Sequence, residues 1–255
     1  MHPDWIVPDW PAPARVRAFM TTRAGGVSRP PYASMNPADH VGDDPAAVAG
    51  NRALLQALLP TEPLWLNQVH GIDVADQAGD EPPCADAGIA TQSGQVRVVM
   101  TADCLPVLFC NRAGTVVAAA HAGWRGLAAG VLEATVARMA VPPGDILAWL
   151  GAAIGANAFE VGGEVREAFV SQNPLAAVAF RPALPGTLDG APRKWLADIY
   201  LLARQRLVRI GVTQVYGGGY CTYADSERFY SYRRDGVTGR MASLVWIESA
   251  QPSLG

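Results

Sequence analysis

Three side chains able to bind a soft or borderline metal ion close three separate apolar runs of the chain. His70 ends Leu64–Val69, Cys104 follows the run that starts at Val96, and His121 ends Val116–Ala120. Cys104 lies 34 residues beyond His70 and His121 lies 17 beyond Cys104, enough for chain reversals that bring strand ends together. Two imidazoles and one thiolate suit a catalytic zinc, which takes three protein ligands and leaves the fourth position to water or substrate. Asp103 and Asn67, beside the ligands, are candidates to orient them. Spacing alone leaves a second reading open, a core cysteine and two unrelated histidines, because any three strand ends satisfy so loose a pattern.

A second set of residues suits an anion. Arg23, Arg125, Arg233 and Arg240 stand in glycine-containing loops, and a guanidinium can grip a phosphate through two parallel hydrogen bonds. Gly25 and Gly26 let backbone amides approach a ligand between Arg23 and Ser28. Asn36 and His40 continue that loop as a second polar cluster, with His40 either orienting a substrate or purely structural. Arg125 follows the His121 strand end across a glycine turn and is the arginine expected to face the metal. Each arginine also has a plain alternative, a solvated surface charge.

The elements that must position these residues are read from periodicity. Residues 1–15, punctuated by proline, are expected to run extended along the surface. Strands are expected at Val16–Met20, Leu64–Gly71, Val96–Thr101, Val116–Ala120, Ile146–Leu150, Val212–Tyr216 and Met241–Ile247. Asp44-Pro45 opens a helix that runs toward Pro60, with aspartate as cap and proline at the first helical position. Leu127, Val131, Thr135 and Met139 recur at helical spacing and continue as a helix directly after the His121 turn. Two further helices are expected within Asn157–Val170 and over Trp195–Ile210, the latter stopped by Gly211. Pro106 argues against a regular central strand and for a bend or bulge at Cys104. Segments 76–92, holding Cys84 and Asp86, and 173–193 read as loop and surface connection.

Composition bounds the answer. With 255 residues, half of them hydrophobic and 17% charged, the chain can bury a large core. No composition shift marks a boundary, so a single domain over 1–255 is expected. No apolar run reaches the length of a membrane span, and no signal peptide is visible at the start, so the protein is expected in the cytoplasm, off the membrane. A net charge of −3 argues against nucleic acid as a partner. The four cysteines form no CxxC pair and read as free thiols or metal ligands.

Several longer motifs then resemble a known family. Leu66-Asn-Gln-Val-His70-Gly, Thr101-Ala-Asp-Cys104-Leu-Pro-Val-Leu, His121-Ala-Gly-Trp-Arg-Gly and Phe229-Tyr-Ser-Tyr-Arg-Arg-Asp-Gly-Val-Thr-Gly-Arg240 look like signatures of the YfiH-like, laccase-domain family. Thr22–Ser28 and His40–Pro45 match it too, so the resemblance covers nearly the whole chain. It implies one α/β domain with mixed sheets flanked by helices, and one zinc, or alternatively copper, at His70, Cys104 and His121. It also implies one of three activities: polyphenol oxidation with several coppers, phosphorolysis or deamination of purine nucleosides, or cysteine hydrolysis that edits peptidoglycan precursors.

Physical argument ranks these. A multicopper cluster is built mainly from imidazoles, and this chain has four histidines in all. A single zinc suits nucleoside chemistry, since it lowers the pKa of a bound water to roughly 7. Phosphorolysis of adenosine or inosine would use the loop arginines for phosphate. The hydrolase reading makes Cys104 a nucleophile, a role one thiolate cannot combine with tight metal binding. The ranking is nucleoside enzyme, then amidase-type hydrolase, then copper oxidase, then a purely structural metal.

Overall fold

The computed structural model describes residues 1–77, 79, 81–183 and 194–249. In chain order its elements are β1 (Val16–Met20), α1 (Pro45–Gln56), β2 (Val74–Ala75), β3 (Ala87–Ala90), β4 (Arg97–Thr101) and β5 (Leu105–Asn111). There follow β6 (Val117–Ala122), α2 (Trp124–Ala129), α3 (Val131–Met139), β7 (Ile146–Leu150), β8 (Glu160–Val161), α4 (Gly163–Val170), β9 (Phe180–Pro182) and β10 (Trp195–Ala197). The last are α5 (Ile199–Arg209), β11 (Gln214–Gly217), α6 (Tyr232–Asp235) and β12 (Met241–Ile247).

Alternation along the strands generates layers. In β5, Leu105, Val107 and Phe109 face one core with Leu127 of α2, Leu132 of α3 and Leu202 of α5. Leu108 and Cys110 face the opposite way, onto Val99 of β4 and Val245 of β12. A third apolar cluster joins Val98, Phe19 and Leu244 to Leu55 of α1 and to Trp5. The order is therefore helices, a six-stranded sheet (β11-β7-β5-β6-β3-β2), a three-stranded antiparallel sheet (β1-β12-β4), and α1. A third small sheet, β8-β10-β9, adds Val161, Phe180 and Ala197 to the helix-side core. The large sheet is mixed: β5 pairs antiparallel with β6 and β7, whereas β11–β7 and β2–β3 are parallel. This is the mixed α/β class expected from the sequence. No helix among the described residues is long and apolar enough to cross a membrane.

Several local expectations are corrected. Leu64–Gly71 is no strand; it makes single bridges at Leu64 and Asn67, and His70 has a φ of 61°. Leu64 and Asn67 donate to the Val96 and Pro83 carbonyls, but the amide hydrogens of Val69, His70 and Gly71 are taken by the Asp86 carboxylate. The chain does bend before Cys104, where Asp103 has a φ of 88°. Yet β5 is central despite Pro106, because pairing with β7 begins only at Val107 and the Pro106 carbonyl accepts from Gly151 N at 2.9 Å. Segment 76–92 contains a fully buried strand, β3, between β6 and β2.

Trp195–Ala197 is a strand, and the helix after it starts only where the Asp198 side chain caps Leu201 N at 2.9 Å. The region from Asn157 likewise places β8 before α4. Within 173–193, Pro174–Ala179 forms a 3₁₀ turn that buries Ala176 and Ala179, and β9 follows; 184–193 lie outside the described residues. At the N-terminus residues 1–15 are mostly exposed or half-buried, and Trp5 and Ile6 anchor them, Trp5 stacking on Phe19 at 5.3 Å.

The helix after His121 is two helices, α2 and α3, divided at Gly130, which adopts φ 111° and serves as the C-cap of one and N-cap of the next. A β-carbon there meets nothing closer than 3.7 Å, so only the backbone conformation opposes a side chain. We expect Gly130→Ala to destabilise the protein by about 1–2 kcal/mol, the cost of a left-handed conformation for a residue with a β-carbon. Denaturant titration of the two proteins measures it, and equal midpoints would refute it.

Candidate metal centre and its cleft

β6 delivers His121 near its end, the bend between β4 and β5 delivers Cys104, and the loop before β2 delivers His70. One ligand atom from each of the three lies within 4.8 Å of the others. His70 Nε2 stands 3.7 Å from Cys104 Sγ, and the two imidazoles meet edge to face with centroids 4.7 Å apart. The buried His121 and the exposed His70 thus close on the thiol from two sides.

Such a gathering needs backbone to come close. A β-carbon on Gly123 would lie 2.5 Å from His70 Cδ2 and 3.1 Å from Cys104 Sγ. A β-carbon on Gly126 would lie 2.8 Å from the Gly71 carbonyl oxygen. The two glycines after His121 are therefore the room into which the His70 loop fits.

Asp86, buried in full, holds that loop from below. Its carboxylate accepts from the backbone N–H groups of Val69, His70 and Gly71 at 3.1, 2.9 and 2.6 Å. It also lies 2.7 Å from His121 Nδ1. Burial raises its pKa, but the His121 hydrogen bond and the loop amides outweigh that and hold it below the usual carboxylate value. Among the described residues neither expected orienting residue hydrogen-bonds a side chain of the trio. Asn67 Nδ2 donates to Cys84 Sγ at 3.2 Å, and Asp103 accepts from Thr222 Oγ1 at 2.6 Å and from Arg233 N at 2.7 Å.

Electrostatics favours a charged pair. Burial opposes a Cys104 thiolate, yet the His121 charge and hydrogen bonds from both histidines pull its pKa down to about 6. Burial likewise opposes a His121 cation, and the Cys104 and Asp86 charges raise it to about 9. Between those values thiolate and imidazolium coexist. Cys110 is the contrast: in the core, with burial alone acting, its thiol is pushed up to about 12. Cys221 Sγ accepts from Gly155 N at 3.2 Å.

Cys104 opens onto a cleft of about 250 Å³ walled by Trp124, Phe159, Ile199 and Tyr232, with Arg125 and Arg233 on its lining. Arg125 is exposed, lies 4.7 Å over the Trp124 ring, and makes no ion pair among the described residues. Arg233 donates to the Glu160 carbonyl at 2.8 Å, and Arg240 donates to the Thr238 and Gly239 carbonyls at 3.0 and 3.1 Å. Burial lowers the pKa of Arg240, and the Cys104 and Asp103 charges act against that, which places its guanidinium within electrostatic reach of the trio.

The N-terminal residues form a network with one another. Arg23 donates to the carbonyls of Ala33 and Ser226 at 3.1 and 2.9 Å. Ser28 donates to Asp43 Oδ2 at 2.6 Å, and Asn36 donates to the same oxygen at 2.9 Å while accepting from Arg240 N at 3.0 Å. His40 is exposed, stands 3.5 Å from Asp39, and lines another cleft with Arg52 and Trp65. The sequence reading missed Asp86 as a partner of the ligands, and Trp124, Phe159 and Tyr232 as cleft walls. Nothing in their spacing announces them; the one hint was that Asp86 interrupts an otherwise small and apolar run leading into β3.

Comparison with known proteins gives a consistent outcome. The family described as multi-copper polyphenol oxidoreductase laccase matches residues 17–248. A Pseudomonas aeruginosa protein named purine nucleoside phosphorylase is 57% identical over 244 residues, covering 96% of this chain and 98% of its own. Escherichia coli YfiH, also named purine nucleoside phosphorylase, is 57% identical over 246 residues, covering 95% and 98%. Among solved structures, Neisseria meningitidis protein NMB0706 matches with a TM-score of 0.90 at 52% identity, over 96% of this chain and all of that one (100%).

The thiolate is open to test. Alkylation follows the thiolate fraction, so in metal-free protein the rate at Cys104 should rise as pH climbs through about 6 and level off above it. An ordinary thiol would still be gaining rate as pH climbs toward about 8.5. Mass spectrometry after brief iodoacetamide exposure reads each cysteine separately. A Cys104 profile that keeps climbing past pH 8, like that of a free cysteine, would show that the histidines do not activate it.

Proposed function

The chain belongs to the family described as multi-copper polyphenol oxidoreductase laccase, and within it we propose that this protein is a zinc-dependent purine nucleoside phosphorylase. The observation that carries the reading is the joining of two features in one place: a trio of metal-binding side chains, and a cleft lined by aromatic rings and arginines. The names of the relatives in Pseudomonas aeruginosa and Escherichia coli support it.

His70, Cys104 and His121 would hold one metal ion, and a thiolate with two imidazoles is a donor set that zinc accepts. When bound, the ion supplies Lewis-acid polarisation. The residues of the cleft do the rest. Trp124, Phe159 and Tyr232 offer ring faces to a purine. Arg125 and Arg233 offer guanidinium groups to the phosphate. In phosphorolysis a phosphate oxygen bonds to C1′ of the ribose while the bond from C1′ to the base nitrogen breaks, its electron pair leaving with the base. Holding phosphate against the sugar brings its negative charge to the carbon where positive charge develops. Arg23, Ser28 and Asn36 fix the loop that meets Arg240, and through it they would act on the substrate. The four free cysteines suit a reducing compartment, the cytoplasm.

Oxidation of polyphenols by several coppers does not fit this donor set. Of the four histidines, two serve the trio, while His2 and His40 pair with Asp4 and Asp39 elsewhere. One observation favours a second reading. A Cys104 thiolate held beside an imidazolium is also the resting state of a cysteine hydrolase. The two readings part on Cys104→Ser: a ligand loses activity and metal together, whereas a nucleophile loses activity and keeps full zinc.

The direct test is mass spectrometry of products from adenosine and inosine, with and without phosphate, on protein of measured metal content. We expect free base and ribose 1-phosphate only when phosphate is present. Base release that ignores phosphate, or adenosine converted to inosine alone, would overturn phosphorolysis. Arg125→Ala should lower turnover on the order of a hundredfold, as loss of a group that stabilises transition-state charge does. Stability should move by less than about 0.5 kcal/mol, since the side chain is exposed.

A further inference from the structure

Asp86 is buried in full, takes no part in the chemistry proposed above, and has both oxygens filled. Oδ2 accepts from Val69 N and Gly71 N at 3.1 and 2.6 Å. Oδ1 accepts from His70 N at 2.9 Å and lies 2.7 Å from His121 Nδ1. Three consecutive amides converging on one anion make a nest, and a nest requires a residue in the left-handed region. His70 is that residue, with φ 61°. Nests of this kind usually receive a ligand anion; here the anion is the protein's own carboxylate, and it reaches through the nest to the second imidazole.

An ionised carboxylate only accepts, so the ring nitrogen facing it carries hydrogen. His121 therefore keeps Nδ1–H on Asp86 and turns Nε2 toward Cys104 and His70. We propose that Asp86 is a positioning residue that assembles the metal site in advance, one carboxylate setting both the His70 loop and the ligating nitrogen of His121. The inference rests on the metal-centre reading above and adds to it a residue that never touches the ion.

Asparagine at this position separates the two tasks. With its single oxygen toward His121, the amide NH₂ confronts the N–H groups of Val69 and Gly71, donor against donor, and the loop loses its anchor. With the oxygen toward the loop, the NH₂ confronts His121 Nδ1 and favours the tautomer whose hydrogen is on Nε2, where the lone pair is needed. Either orientation removes one ligand.

Zinc affinity of the Asp86→Asn protein, measured by competition with a chromophoric chelator, should fall about 10- to 100-fold, the usual effect of losing a partner of a metal-bound histidine. Circular dichroism in the presence of chelator reports whether the variant still folds. A second measurement needs no variant: with an NMR-active cadmium isotope in the wild-type protein, cadmium–nitrogen coupling should appear at His121 Nε2, with Nδ1 still protonated. A folded Asp86→Asn protein with wild-type zinc affinity, or cadmium coupled to Nδ1, overturns the proposal. Wild-type protein that binds neither zinc nor cadmium overturns the metal reading itself, and this inference falls with it.

Discussion

A site made from three distant chain ends has no covalent frame, so something must force the ends together before any ion can reward the gathering. Here that constraint is close backbone contact at Gly123 and Gly126. The turn after His121 lies so near the His70–Gly71 loop that any β-carbon on Gly123 would enter the imidazole. Everything else around the centre follows from that contact. β6 must stop where it does, α2 must begin at once, and α3 must restart after Gly130, because the chain has to turn away without filling the space. Close-packed interiors transmit such constraints rigidly, since few voids exist to absorb a shift.

The layered sheets give this contact its stiffness. β5 and β6 are buried at every residue, and each alternates between a helix-facing and a sheet-facing core. Side chains that deliver ligands from such strands inherit the order of two cores at once. His70 is different: it is exposed and comes from a loop with almost no ladder pairing. Buried Asp86, the N-terminal neighbour of β3, carries that order out to the loop.

What could be read from the sequence follows the same division. The strands β4, β6 and β7, which bury both faces, stood out as apolar runs, and α1 announced itself through Asp44-Pro45, whereas Pro106 hid β5. Leu64–Gly71 misled because its apolar alternation resembles a strand, while the amides of its last three residues go to a carboxylate 15 to 17 residues away. Trp195–Ala197 misled for another reason. A short apolar stretch before a helix has the helix's own period, and only the Asp198 cap reveals where helix begins. Arg23, Ser28 and Asn36 bond to their own surroundings, a fact that no spacing records.

The charges at the centre admit one more step. Thiolate, imidazolium and carboxylate stand in a row from Cys104 through His121 to Asp86, so each buried charge has an opposite neighbour. Removing one partner from such a row strands the others in a poor solvent for charge, which costs more than the pair itself contributes. The row also explains how one trio can look like both a metal site and a cysteine hydrolase. A thiolate paired with an imidazolium is a nucleophile when the imidazole can receive and return protons. It becomes a ligand when its lone pair and those of both imidazoles converge on one ion. A buried carboxylate at 2.7 Å from Nδ1 orients the imidazole of a hydrolase triad and of a metal ligand alike. What separates the two is the second imidazole, His70 Nε2 at 3.7 Å from the sulfur, which a triad does not need.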